Sequence, residues 1–570
     1  MQVDPKNLTL WHLISDRLFQ IPQYQRAYSW QTKQRQDLFD DLLAMVKKNH
    51  DYHFMATVVG LAVGQIQIGT DLYSRVDVVD GQQRLTTLIL ILKAIELALD
   101  ENDKDRRSLR DTLVRGDDET LVLLHTNHDY SSYFINYIRK GVVPSNKRQS
   151  HSADMNIVKG IAETRAFVDS WEECSGTSLK ALLGILKNKL FFIYHQLNDE
   201  KLVYTVFEVL NSRGLPVPWL DRAKSMMMGV VFDNAQNPKD VIDELHNTWA
   251  RIYSTLGLRN IVSRDLLRYA ATLWPSGMHS RIMSDQDALE LFRGLAIDQY
   301  QRTITISQHI LSVAEKMVAL HDNVHASAVN RIAQARMLHI AISGAFKGQE
   351  KAKLLDQWER ITFRIYCLHD QDSRTKVGAY VRLACGVRSG VKSASEVMAA
   401  LISIGEGYPI ENVEKCLAET NCYENWEESL RYLLYEYEKS LAENYKPEKN
   451  ILWQEVWRES ASDTIEHIYP QLPKIGSQWN KDIDERSEKR QKIKNYLGNL
   501  AILPKSLNSQ ASNKEFSEKS DYYLKSGFRH LNEIVYPSGD RRRRSWKKED
   551  IEAREKKIIN WAKDRWSDVS

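Results

Sequence analysis

Cysteine, glycine and proline are all sparse in this chain of 570 residues, with 5 Cys, 25 Gly and 13 Pro. The cysteines stand at Cys174, Cys367, Cys385, Cys416 and Cys422, and no two form a CxxC pair. An odd number without that spacing excludes a disulfide framework and a thiolate zinc site as organising elements. A reducing, cytoplasmic setting is the expectation. Scarce Gly and Pro beside 43% hydrophobic residues exclude a disordered chain. Charge of one sign is missing too. Lys and Arg number 78 against 75 Asp and Glu, a net +3, so any nucleic-acid surface must be a local patch. Long apolar runs are absent. The most apolar stretch, LTTLILILKAIELAL, carries Lys93 and Glu96 and is too short for a membrane span. The polar N-terminus offers no apolar signal core, so no secretory leader is expected.

What is present is length. At ~100–200 residues per domain the chain holds roughly three to five domains, or fewer large ones. Up to about residue 230, helix and strand signals alternate. TKQRQDLFDDLLAMVKK has helical spacing, FMATVVG, YSRVDVVD and NKLFFIYHQLN read as strands, and the segment from Gln82 reads as a helix. LVYTVFEVLNSRG reads as a short helix stopped at its Gly. From about 219 to 445 the periodicity is almost purely helical, as in EESLRYLLYEYEKSLAENY. Beyond Lys446-Pro447 the chain turns polar and Trp-punctuated, with an unbroken run Arg541 to Arg544 near its end. That run reads as a solvated helix start or as a phosphate contact. The fold class expected is multidomain α+β, mostly helical. The divisions expected are residues 1–230, a helical coupling region 231–445, and residues 446–570.

Three polar motifs interrupt the N-terminal region: IPQYQRAYSW, VVDGQQRLTTL and FEVLNSRGLPVPWLDRAK. In the second, a strand ends at Asp80-Gly81 and Gln82-Gln83-Arg84 opens an apolar helix. Glycine allows a sharp turn or close ligand approach. A helix N-terminus offers free N–H groups and a positive dipole end to an anion, and Arg84 adds a forked cation. Asp80 suits a metal ion, a ribose hydroxyl or simply a helix cap. In the first motif, Gln25 and Arg26 lie beside Tyr24 and Tyr28, a set that can grip a nucleobase or cover a core. The third places Asp221 and Lys224 on one helix face.

Together these motifs resemble the N-terminal domain of GmrSD-type modification-dependent restriction endonucleases and the related phosphorothioate-sensing SspE proteins. The resemblance implies a ParB/sulfiredoxin-like α/β fold that binds and hydrolyses a nucleoside triphosphate. Asp80, Gly81, Gln82, Gln83 and Arg84 would form the centre of that site, with Gln25, Arg26, Asn211 and Arg213 around it. No GxxxxGK[ST] loop stands at this site, so a P-loop mechanism is not implied.

A second constellation lies near the C-terminus, in DTIEHIYPQLP and, about thirty residues on, LGNLAILPKSLNSQASNKEFSEK. His467 can take a proton near neutral pH, and Glu466 offers a hard oxygen to Mg²⁺ or Mn²⁺. On an extended segment these neighbours point to opposite faces. Asn499 can orient the His, and Asn508 can supply a neutral oxygen. The pattern resembles the ββα-metal, or HNH, nuclease motif and the C-terminal domain of the GmrSD family. Carried over, His467 becomes the general base, Asn499 its support, and Glu466 and Asn508 the metal ligands. Lys514 and Lys519 become candidate phosphate contacts. Trp546, Ile551, Arg554 and Trp561 resemble the structural closing helix.

The reading that follows is a nucleotide-regulated, metal-dependent endonuclease of the type IV kind, acting on modified foreign (phage) DNA. Its partners would be DNA and a nucleoside triphosphate, with no membrane; homo-oligomerisation is left open. The alternative is a nucleotide-gated DNA-binding clamp without cleavage. The modification recognised, the nucleotide and the sign of regulation are not legible.

Overall fold

Helix Gln82–Ala98 is apolar almost all round, and Leu85, Leu88, Ile89, Leu90, Ile91, Leu92 and Ile95 are all buried. A helix without a polar face must be enclosed on every side. It packs against helices Ser152–Asp169 and Lys104–Leu113, and its residues share one core with those of a mixed six-stranded sheet. Even Lys93 and Glu96 are buried, as an ion pair. The computed structural model describes the chain apart from residues 1–4, 23, 24, 26, 48–52, 117–119, 126–131, 145–151, 198–217, 258, 276, 415, 416, 418–421, 442–449, 484–491, 538, 540 and 570.

Across the sheet the strands run Pro5–Thr9, Leu190–Leu197, His53–Ile68, Asp71–Asp80, Arg17–Ile21 and Leu123–His125. His53–Ile68 and Asp71–Asp80 pair antiparallel around a turn where Gly69 takes φ 61°. Leu190–Leu197 lies parallel to His53–Ile68, and Arg17–Ile21 lies parallel to both of its neighbours. The strands and helices expected from FMATVVG, YSRVDVVD, NKLFFIYHQLN, Gln82 onward and Thr32–Lys47 are all present. The segment LVYTVFEVLNSRG, expected as a helix, lies outside the described residues. From Trp219–Asn234 to Cys422–Ser440 every described element is a helix, so the chain is mostly helical, as its periodicity predicts. Among the described residues no helix is long and apolar enough to cross a membrane.

The chain divides into two compact units. One holds Met1–Ala271 and Ser284–Glu315; the other holds Thr272–Met283 and Lys316–Ser570. The second contains a short antiparallel pair, Ile465–His467 with Leu500–Ile502, in which His467 faces Leu500 and Glu466 faces Ala501. Helix Lys505–Ala511 follows, giving a ββα order. Four of the tryptophans that punctuate this region lie in its core. Trp453, Trp479, Trp546 and Trp566 are fully buried, and Trp453 stacks on Phe528 at 4.2 Å.

Helix Lys548–Arg565 lies directly on the loop before Leu500. A Cβ at Gly498 would come within 2.0 Å of the Ile551 carbonyl oxygen and 2.8 Å of the Glu555 nitrogen. Both are backbone atoms of a helix and cannot swing aside. Gly498→Ala is therefore expected to destabilise this unit by about 1–3 kcal/mol or more, read as a lowered urea midpoint. An unchanged midpoint would mean that the helix does not approach the loop so closely.

Candidate functional site

Each unit carries one candidate site. In the first, strand Asp71–Asp80 ends at half-buried Asp80, and Gly81 turns the chain at φ 93° into helix Gln82–Ala98. A side chain at Gly81 would press on Val58 Cγ2 at 3.0 Å and the Thr57 carbonyl oxygen at 3.2 Å. The cap residue is Gly81, which has no side chain to bond the leading N–H groups, and the first turn of the helix has no acidic residue. Its leading N–H groups and positive dipole end thus remain suited to an anion. Arg84 is exposed beside them.

The two glutamines turn inward instead. Gln83 Oε1 accepts from the Ser29 and Trp30 N–H groups at 2.8 and 3.3 Å, and its Nε2 donates to the Ala27 carbonyl at 3.0 Å. Gln25 Nε2 donates to the Val79 carbonyl at 2.7 Å, and Gln82 Nε2 donates to Gln25 Oε1 at 3.1 Å. The first and second motifs are thereby joined, amide to backbone. Tyr28 and Thr87 share a hydrogen bond of 2.9 Å, and burial raises the Tyr28 pKa. Arg35 ties the same segment down through the Trp30 carbonyl and Glu163. Buried Gln82 Oε1 finds no hydrogen-bond donor among the described residues, leaving an acceptor at the base of this junction. Arg26, Asn211 and Arg213 lie outside the described residues. In the third motif, buried Lys224 lies over the Tyr253 ring, whose hydroxyl donates to Asp221.

In the second unit His467 is buried, with Tyr423 edge-on to its ring at 4.4 Å. Its Nε2 lies 3.1 Å from Asn495 Oδ1, and Gln471 Nε2 lies 3.2 Å from its Nδ1. An acceptor at Nε2 and a donor at Nδ1 fit one neutral tautomer, protonated at Nε2 and accepting at Nδ1. Burial depresses its pKa to about 4, only partly offset by Asn495. Burial therefore favours the neutral ring, which leaves one ring nitrogen as an acceptor.

Strand alternation sends Glu466 the other way. Its Oε1 accepts from Lys519 Nζ at 2.7 Å and Tyr523 Oη at 2.8 Å. Lys519 also donates to the His467 and Ile468 carbonyls at 2.7 and 3.2 Å. Burial pushes the Glu466 carboxyl up and the Lys519 ammonium down, and their mutual attraction opposes both shifts. Asn508 is half-buried on helix Lys505–Ala511 and donates to the Asp463 and Ile465 carbonyls at 3.0 and 3.3 Å. As arranged, the Glu466 carboxylate holds an ammonium ion within the core, and the Asn508 amide is turned to backbone carbonyls. Among the described residues no group of three His, Cys, Asp or Glu could hold a metal.

Asn499 does not touch the imidazole. Its Oδ1 accepts from the Tyr469 N–H at 2.7 Å and Trp546 Nε1 at 3.3 Å, and its Nδ2 donates to the Tyr469 and Lys494 carbonyls at 2.9 and 2.8 Å. It fixes the backbone that follows His467. Lys519, expected at phosphate, is fully buried and cannot reach one. Lys514 is held by Tyr522 Oη at 2.8 Å. Of the arginine run, Arg542 pairs with Asp521 at 2.6 Å and Arg543 with Asp550, while Arg541 and Arg544 remain exposed. Arg554 donates to the Gly498 and Leu500 carbonyls at 2.8 and 2.7 Å, the structural part expected of the closing helix. Tyr423 and Asn495 join the site without belonging to either motif that points to it, and Gln471, inside DTIEHIYPQLP, joins it although the motif assigns it no role. Gln471 stands four residues past His467 and Asn495 four before Asn499, but Tyr423 lies on a helix that no local pattern links to the site.

Residues 10–226 match the family model of the GmrSD restriction endonuclease N-terminal domain, and residues 409–561 match that of the C-terminal domain. The chain belongs to the GmrSD restriction endonuclease family. No curated protein matches it. Each family domain contains one of the two constellations: the Asp80 junction falls in the first match and His467 in the second.

Removing the Lys519 ammonium leaves the Glu466 carboxylate buried without its counter-ion. Lys519→Met should destabilise the fold by about 3–5 kcal/mol, measured by urea unfolding at neutral pH. Adding Glu466→Gln should recover much of that loss. If the double variant is no better than the single one, the charge is not what Lys519 answers.

Proposed function

We propose that the chain is a nucleotide-regulated, metal-dependent DNA endonuclease of the type IV kind, which cleaves modified foreign DNA such as that of phage. The observation that carries the chemistry is buried His467, its ring held between Asn495 and Gln471 on a ββα arrangement. In the reaction, water attacks the phosphorus of a phosphodiester, and His467 Nδ1 takes the proton released. The bond from phosphorus to the leaving oxygen breaks, and that oxygen takes a proton from solvent. Asn495 and Gln471 hold the imidazole in the accepting tautomer, and Asn499 fixes the backbone beside it. The ββα order supports reading this part as an HNH-like nuclease domain over 446–570.

The Asp80 junction supports the nucleotide half of the reading. A helix start capped only by glycine, with backbone brought close, and exposed Arg84 suit the phosphates of such a ligand, and the open acceptor of Gln82 suits a donor such as a ribose hydroxyl. We assign residues 1–230 to a ParB/sulfiredoxin-like nucleotide-binding domain and 231–445 to a helical coupling region. Mg²⁺ or Mn²⁺ dependence belongs to the same proposal, although Glu466 would have to leave Lys519 before it could serve an ion. That buried pair is the observation favouring the other reading, a nucleotide-gated DNA clamp that does not cut.

Incubation with modified and unmodified DNA, with Mg²⁺, Mn²⁺ or EDTA and with each nucleotide, separates the two. His467→Ala should lower cleavage by ~10²–10⁴-fold while the protein stays folded. Near-wild-type cutting by that variant, or salt-sensitive binding without nicks by the parent, sinks the nuclease assignment. Independently, Arg84→Ala should weaken nucleotide binding by about tenfold or more, the equivalent of one charge-assisted hydrogen bond. Calorimetry measures it, and unchanged affinity returns the Asp80 junction to a purely structural role.

A further inference from the structure

The turn that follows His467 places two large apolar side chains in water. Leu472 is 73% exposed, and Ile475, at 103%, is exposed more than any other large hydrophobic residue described. Single exposed apolar residues are ordinary on protein surfaces. These two differ by their placement. They sit three residues apart, flanking Pro473 and exposed Lys474, on a turn with defined anchors. The Ser477 N–H donates to the Lys474 carbonyl at 3.1 Å, and Asn480 Nδ2 donates to the same oxygen at 2.9 Å. Gly476 supplies the left-handed corner at φ 79°. Just beyond, the Gln478 N–H donates to Glu515 at 3.1 Å, and fully buried Trp479 donates from Nε1 to the Lys514 carbonyl at 3.0 Å. The tip is held out rather than folded back.

The turn also begins at the candidate catalytic group, since the Gln471 amide lies 3.2 Å from His467 Nδ1. Four residues of fully extended chain span no more than about 14 Å, which is about four base steps at 3.4 Å each. Ile475 thus lies within a few base steps of a phosphate presented to His467. Lys474 and Lys481 are both exposed on this segment and supply cations for the flanking phosphates.

We propose that Leu472 and Ile475 form an apolar wedge that enters duplex DNA beside the scissile phosphate and partly unstacks a base step. This rests on the endonuclease reading and adds to it a residue-level means of opening the duplex. Unstacking costs a few kcal/mol per step. Burying a Leu or Ile side chain that is otherwise in water returns ~1.5–3 kcal/mol each, so two such side chains offset that cost. A wedge must be apolar, exposed before binding and mounted on a turn that does not yield, and this turn has all three properties.

The test uses full-length protein in EDTA, which keeps the DNA uncut, and short duplexes carrying the fluorescent base 2-aminopurine at successive positions. Binding should raise the fluorescence over a few neighbouring steps. Leu472→Ser with Ile475→Ser should abolish that rise and weaken binding by about tenfold or more. Both positions are solvent-exposed, so the thermal midpoint should not move. A double variant that binds and raises the fluorescence like the parent overturns the wedge while leaving the nuclease intact. Parent protein that neither binds nor cuts DNA overturns both readings. Sedimentation showing that the parent self-associates through this turn, and that the double variant does not, assigns the apolar pair to a second copy of the chain and also overturns the proposal.

Discussion

An ammonium ion with no access to water must be surrounded by oxygen, and in the C-terminal unit that constraint falls on Lys519. Its acceptors are the Glu466 carboxylate and the carbonyls of His467 and Ile468. The side chain that answers the buried charge of Glu466 therefore also fixes the backbone on either side of the His467 peptide. Asn499 does the same from the turn just before the other strand, through Tyr469 and Lys494, and Arg554 holds the carbonyls of Gly498 and Leu500. A strand pair of three residues each could not hold an imidazole by its own ladder. Side-chain bonds to backbone make the short pair rigid.

The N-terminal unit uses the same device without charge. Gln83 engages the backbone of Ala27, Ser29 and Trp30 with both ends of its amide, and the Gln25–Gln82 pair ties the first motif to the end of the Asp80 strand. Two residues of the DGQQR motif thus serve to position, while Gly81 and exposed Arg84 stand at the helix start. Inward-facing Gln82 and Gln83 are followed at once by exposed Arg84, because a helix start turns successive side chains to different sides.

Helix Cys422–Ser440 runs through the second unit from one polar cluster to another. Near its start, Tyr423 lies against His467. Near its end, Glu438 accepts from the His530 ring at 2.7 Å, and that ring in turn meets the backbone of Ile502, on the strand paired with His467. Glu436 and Glu359 share Arg565 at 3.1 and 2.8 Å, joining this helix to Gly348–Phe363 and to the end of Lys548–Arg565. A shift of that helix would be felt at the imidazole by direct contact.

Much of the molecule is legible in its residue order. Alternating apolar residues mark the strands, three- and four-residue spacing marks the helices, and the motifs EHIxP and DGQQR point to the family and to the two constellations, because these signals are local. Side-chain destinations are not local. Glu466 and His467 are neighbours in the chain, yet one meets Lys519 and the other Asn495, Gln471 and Tyr423. Lys519 reads as a phosphate contact because a lysine in a polar segment is usually solvated; only packing around Tyr523 and the strand pair encloses it. Residue types and their spacing thus mark the candidate groups for proton transfer and anion binding. Which of them face a ligand and which hold the others in place is settled by the folded chain alone, because burial and hydrogen-bond partners come from segments tens of residues apart.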